Sequence, residues 1–245
     1  MKNMIRSLAY SIRRMFPVSG AVVLMYHSIG ENNLFFTVNG GEFEKQMAYL
    51  MRENFNVVSL KKLEEYLKKK SIPLKTIAIT FDDGYKDNLL NALPVLKKYN
   101  FPATVFVMTG DIGKTRNVRG HDFDMLTQED ILILARSGLI DIEPHSVTHP
   151  KLSKLNREEI KVELKESKEV LEGLLGRDCP YFAYPFGNYS DNVIEVARGL
   201  GFRLALAVEK GVVSHTSDRL SLPRNSVDQE VSITQFKGIV KNGRL

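Results

Sequence analysis

Tryptophan is absent from the 245 residues, and cysteine occurs once, at Cys179. A single thiol excludes an internal disulfide. Cys179 precedes Pro180 with no neighbouring base, so it reads as a packing residue rather than a nucleophile. No apolar run approaches the roughly 20 residues that cross a bilayer. Acidic groups are missing from the first sixteen residues, where Lys2, Arg6, Arg13 and Arg14 supply four of the five net positive charges. The remainder is nearly neutral, which argues against a nucleic-acid partner despite a pI of 9.1.

Those first residues carry their own pattern. Met1, Met4, Ile5, Leu8, Ala9, Ile12, Met15 and Phe16 recur at helical spacing with the cations elsewhere. Residues 1–18 therefore read as a basic amphipathic helix set off from a domain over residues 19–245. Such a helix lies on an anionic membrane surface or covers its own domain. No continuous apolar core with a small-residue cleavage site follows, so an ordinary signal peptide is not expected. A cytoplasmic or membrane-peripheral protein is.

The domain alternates short β-branched runs with amphipathic stretches. Strands are expected at Ala21–Tyr26, Val57–Val58, Thr76–Phe81, Ala103–Met108, Ile140–Ile142, Tyr181–Ala183 and Arg203–Val208. Helices are expected at Glu42–Glu53, Leu60–Lys70, Asp87–Tyr99, from the Thr127 cap to Gly138, Arg157–Leu175 and Asn192–Leu200. Asn156 and Glu159 make a capping box, and Gly176 supplies the stop. Strict alternation implies an α/β fold built on a parallel sheet, in one domain. The connection from Gly110 to Met125 is long enough to form a lid or groove wall.

Two clusters carry chemistry. Thr80-Phe81-Asp82-Asp83-Gly84-Tyr85 places two acids at the C-terminal end of a buried strand, the end where such sheets do chemistry. Adjacent acids repel unless a cation sits between them, and a metal ion is the usual one. A turn that merely ends the strand is the plain alternative. His145 and His149 follow another apolar run; four apart on a helical turn their Cβ atoms lie roughly 5–6 Å apart and both reach one metal. A carboxylate and two imidazoles leave positions open for water and substrate, as catalytic sites do.

Together with Phe182-Ala183-Tyr184-Pro185-Phe186-Gly187, these segments resemble the motifs of the polysaccharide deacetylases, the NodB-homology domain of carbohydrate esterase family four. Met25-Tyr26-His27-Ser28-Ile29, followed by Phe43-Glu44-Lys45-Gln46-Met47, is similar to the circularly permuted branch that contains the poly-N-acetylglucosamine deacetylases. The resemblance runs from about Val22 to about Val227. It implies a distorted (β/α) barrel of about seven parallel strands, a refinement that alternation alone does not supply. It also implies hydrolysis of N-acetyl groups on a polysaccharide or lipid-linked glycan.

By that resemblance Asp83, His145 and His149 hold one divalent metal: zinc first, with nickel, cobalt or iron as alternatives. Asp82 is the general base, the Phe186 backbone N–H an oxyanion donor, and His27 the acid that protonates the leaving amine. Tyr85, Tyr184, Pro185 and Tyr189 are expected to contact substrate, and Tyr26, Tyr85, Phe186 and Tyr189 to supply the stacking that tryptophan otherwise would. Two departures stand out. Ala183 occupies the place of an arginine that orients the base in unpermuted members, and Arg224 is the candidate to replace it, an ordinary surface arginine being the alternative. Pro144 precedes the first histidine where a small residue is usual. Rival readings are a deformylase or other amide hydrolase on the same fold, and a glycan-binding protein that has lost catalysis.

Overall fold

A computed structural model describes residues 20–243; the basic segment expected over residues 1–18 lies outside the described residues. In chain order the first half comprises β1 (Ala21–Tyr26), β2 (Ser28–Ile29), β3 (Thr37–Val38), α1 (Gly40–Arg52), β4 (Asn56–Val57), α2 (Leu60–Lys68) and β5 (Thr76–Phe81). A π-helical turn (Asn88–Ala92) then leads into α3 (Leu93–Tyr99), β6 (Ala103–Val107), β7 (Thr115–Val118) and β8 (His121–Asp124). The rest is α4 (Gln128–Arg136), β9 (Ile140–Pro144), α5 (Arg157–Leu175), β10 (Tyr181–Ala183), α6 (Asp191–Gly199), β11 (Leu204–Leu206), β12 (Asn225–Ser226) and α7 (Ile233–Asn242).

Every residue of β1 and β5 is buried, which is why both read as continuous apolar runs rather than as alternation. Parallel ladders join β12, β1, β5, β6 and β9 in that order, and β10 pairs β11 in parallel. A parallel bridge from Leu206 to Leu222 carries β11 toward β12. Seven parallel strands thus follow one another around a ring, as the resemblance implied. Distortion has two sources. One edge of β5 is shared, its first residues pairing with β4 and its last with β6. Between β9 and β10 no backbone ladder forms among the described residues; the seam is crossed by side-chain bonds, His145 Nδ1 to Ala183 O at 2.8 Å and Tyr181 N–H to Glu143 at 3.0 Å.

Capping explains the helix boundaries. Thr127 with Asp130 and Asn156 with Glu159 form reciprocal boxes, and Gly176 ends α5 at φ 65°. Three expectations change. The helix over 87–99 begins as a π turn, because Asp87, Asn88 and Asn91 turn their side chains to a neighbouring segment. The loop over 110–125 is pinned as an antiparallel hairpin, β7 on β8. And α7, not anticipated, packs Phe236, Ile239 and Val240 onto the core behind a Ser232–Gln235 capping box.

Candidate active site

The in-register pairing of β1 and β5 sets the site's geometry. Tyr26 pairs with Phe81, and Asp82 N–H donates to Tyr26 O at 2.9 Å, so His27 and Asp82 leave adjacent strands side by side. Asp83 then turns with φ 74° and Gly84 with φ 78°. A Cβ on Gly84 would lie 3.3 Å from the Val107 side chain, so the chain needs glycine there both for φ and for closeness to β6. On the far side of β6, His145 N–H donates to Val107 O at 2.9 Å and brings β9 to the same rim.

Asp83, His145 and His149 converge. Both imidazole Nε2 atoms face one carboxylate oxygen, at 3.5 Å from His145 and 3.4 Å from His149. Two donors each about 2.1 Å from one ion at a tetrahedral angle lie roughly 3.4 Å apart, so the three residues suit a divalent metal such as zinc. That oxygen of Asp83 is buried with no hydrogen-bond partner among the described residues, as a coordinating atom would be. Burial, with a second imidazole beside it, pushes the pKa of His149 down to about 4, leaving it neutral and ready to ligate at pH 7. The histidines do not lie on a helical turn, as their spacing suggested. Ser146 and His149 adopt φ 65° and 61°, and a non-helical turn brings the rings within 4.9 Å.

Asp82, one residue earlier, is buried and has a bond to each oxygen. Its two oxygens accept from Arg224 Nη1 at 2.6 Å and Nη2 at 2.7 Å. Arg224 is completely buried, so the surface alternative is overturned; it also donates to Ala207 O at 2.9 Å and to Thr80 Oγ1 at 3.2 Å. Burial works to raise the Asp82 carboxyl, and Arg224 with His145 and His27 outweighs it, holding it below the usual carboxylate range. Ala183, where the unpermuted pattern has its arginine, offers only its carbonyl, to His145.

His27 is half-buried, its ring 5.9 Å from Phe36, and its carbonyl accepts from Asn88 Nδ2 at 2.8 Å. Phe186 stands at φ 58° with its ring exposed and 4.5 Å from His149. The expected substrate contacts fare less well. Tyr85 is buried between Phe36 and Phe123, and Tyr26 is buried in the core. Tyr184 is buried and donates its hydroxyl to Leu220 O, and Pro185 is buried beside it. Tyr189 is half-buried and tied to Glu209 at 3.0 Å. Tyr26 and Tyr184 fill the hydrophobic core, and Tyr85 packs with Phe36, Met108, Phe123 and Met125 against the β7–β8 hairpin; among the described residues Phe186 and Phe35 are the exposed phenylalanines. His121 lies exposed on β8, and the metal-capable cluster among the described residues is Asp83, His145 and His149.

Sequence reasoning missed Asp87. It is half-buried and accepts from Ser28 Oγ at 2.6 Å and Ile29 N–H at 3.2 Å, and loss of water around it pushes its carboxyl up to about 6. Its place four residues after Asp83, facing the His27 segment, was the available signal.

Comparison with known proteins agrees with this geometry. The family model for polysaccharide deacetylase matches residues 69–205. YxkH of Bacillus subtilis, assigned as a polysaccharide deacetylase, is 31% identical over 221 residues, 90% of this chain and 76% of that protein. A Staphylococcus aureus poly-β-1,6-N-acetyl-D-glucosamine N-deacetylase is 26% identical over 249 residues, covering 92% of this chain and 83% of that one. Among solved structures, IcaB from Ammonifex degensii superposes with a TM-score of 0.82 at 26% identity, over 94% of this chain and 99% of that chain. The match spans more than half the sequence and takes in Asp82, Asp83, His145 and His149: the chain belongs to the polysaccharide deacetylase family.

Proposed function

We propose that the protein hydrolyses N-acetyl groups from the amino sugars of a glycan, with zinc as its metal and a poly-N-acetylglucosamine-like polymer or a lipid-linked precursor as substrate. The observation that carries this reading is the pairing of a converged Asp83–His145–His149 set with a separate carboxylate, Asp82, held ionised by Arg224. Asp83, His145 and His149 would hold a divalent ion, which when bound would supply Lewis acidity toward water and the acetamide carbonyl.

The chain's own residues do the rest. Asp82 takes the proton as water attacks the carbonyl carbon, and Arg224 fixes both its oxygens so that it cannot turn away. Its lowered pKa keeps it ionised at neutral pH. The Phe186 N–H, on a backbone turned to φ 58°, meets the developing oxyanion. His27 delivers a proton to the nitrogen as the carbon–nitrogen bond breaks, giving acetate and a free amino sugar. A binding protein without turnover would have no need of a buried, doubly bonded base.

Acetate release from N-acetylglucosamine oligomers, with and without chelator, tests the reaction; chelator-insensitive release or none would reject it. His27→Ala tests the acid. It should depress acetamide hydrolysis far more than hydrolysis of an activated acetyl ester, whose leaving group needs little protonation. Equal losses on both would reassign His27 to binding or structure.

A further inference from the structure

The two metal-facing histidines are held in different ways. His145 is oriented through its ring: Nδ1 pairs with Ala183 O at 2.8 Å, which turns Nε2 toward Asp83. A ligating histidine ordinarily has such a partner on its second nitrogen. His149 has none. Its Nδ1 is buried without a hydrogen-bond partner among the described residues, so its direction depends on the backbone that carries it.

That backbone is an unfavourable turn, with both Ser146 and His149 at positive φ. Non-glycine residues hold such angles only where their surroundings over-determine them. Here the carbonyls of the turn are held by backbone bonds, Thr109 N–H donating to Ser146 O at 3.2 Å and Gly110 N–H to Val147 O at 2.9 Å, and its N–H groups by one side chain on the following helix. Glu163, on α5, accepts from Val147 N–H at 2.8 Å, Thr148 N–H at 2.9 Å and Thr148 Oγ1 at 2.6 Å. Ser146 Oγ closes the turn by accepting from His149 N–H at 3.0 Å. Glu163 therefore holds the donors of the stretch between the two ligands without touching either.

We propose that Glu163 is a positioning residue for the metal site, fixing the 146–148 turn so that His149 faces Asp83 without a ring partner of its own. This rests on the metal reading given above and adds a residue to it. Glu163→Ala should leave the apoprotein folded while weakening zinc binding by about 10–100-fold, the size of effect seen when a ligand's supporting hydrogen bonds are lost. Glu163→Gln, with one acceptor oxygen in place of two, should fall between Ala and wild type.

The test is competition of zinc alone between the stripped protein and a chromophoric chelator, with the cobalt-substituted visible spectrum as a second readout. Glu159→Ala is the control: it breaks the cap of the same helix, where Glu159 accepts from Asn156 N–H at 2.8 Å. It should lower the melting temperature and leave zinc affinity unchanged. Wild-type affinity and an unaltered cobalt spectrum in Glu163→Ala would overturn the proposal. Equal losses of affinity in Glu159→Ala and Glu163→Ala would also overturn it, as a general loosening of α5. A wild-type protein that binds no zinc would instead bring down the metal reading itself.

Discussion

Asp82 and Asp83 are neighbours in sequence and opposites in surroundings. Both oxygens of Asp82 are taken by a buried arginine, whereas Asp83 has a buried oxygen with no partner among the described residues. A carboxylate anchored by one bond to each oxygen keeps lone pairs free to take a proton; one whose oxygen has no donor within reach of two imidazoles is a ligand in waiting. The half-turn at φ 74° makes the difference, sending one side chain inward to Arg224 and the next toward β9.

The largest test of that contrast is Asp83→Ala, which should remove bound metal and reduce deacetylation to background, since three protein donors leave none to spare. Elemental analysis beside an acetate assay reads both; full metal content would show the ligand set to be wrong. Asp82→Asn should part the two readouts. Metal stays, and turnover falls by about 10²–10⁴ with loss of the general base. Near-normal turnover in this variant would erase the proposed division of labour.

Arg224→Met attacks the pairing from the other side. It strands a buried carboxylate, at a cost of about 3–5 kcal/mol in a denaturation experiment. Adding Asp82→Asn to it should recover much of that loss, and strict additivity of the two would contradict a direct pair. Asp87 extends the comparison, because it has neutral hydrogen-bond donors in place of a cation, and burial pushes its carboxyl up to about 6. Its folded pKa lies above the unfolded value near 4, so its contribution is fully present below pH 4 and is lost as pH rises through 6. Wild type should thus fall relative to Asp87→Asn by about 3 kcal/mol between pH 4 and 7. A pH-independent difference between the two proteins would refute the shift.

Much of this architecture is legible in the sequence. Runs such as Ala21–Tyr26, Thr76–Phe81 and Arg157–Leu175 match their elements to the residue, because buried parallel strands and capped helices write themselves locally. Asp83, His145 and His149 are legible as a set through their motifs, but not the means of their approach, since a turn with two positive φ values leaves no periodic trace. Arg224 lies 142 residues from Asp82, and only the fold shows that it comes inward. Tyr184 misleads for the opposite reason: beside a functional motif, a core tyrosine looks like a surface one. For α7 the signal is local, a Ser232–Gln235 box ahead of Ile233, Phe236, Ile239 and Val240, but it stands outside the motifs and is easily overlooked.

The unladdered seam between β9 and β10 has a bearing on motion. One of the bonds across it belongs to His145, whose other nitrogen faces Asp83. Anything that draws this imidazole tighter also fastens the sheet shut. Amides of β10 and β11 should therefore exchange with deuterium more slowly when metal is added than when it is stripped, while those of β1 and β5, laddered on both edges, barely change. The ion would then act as a rivet at a joint that no backbone ladder closes.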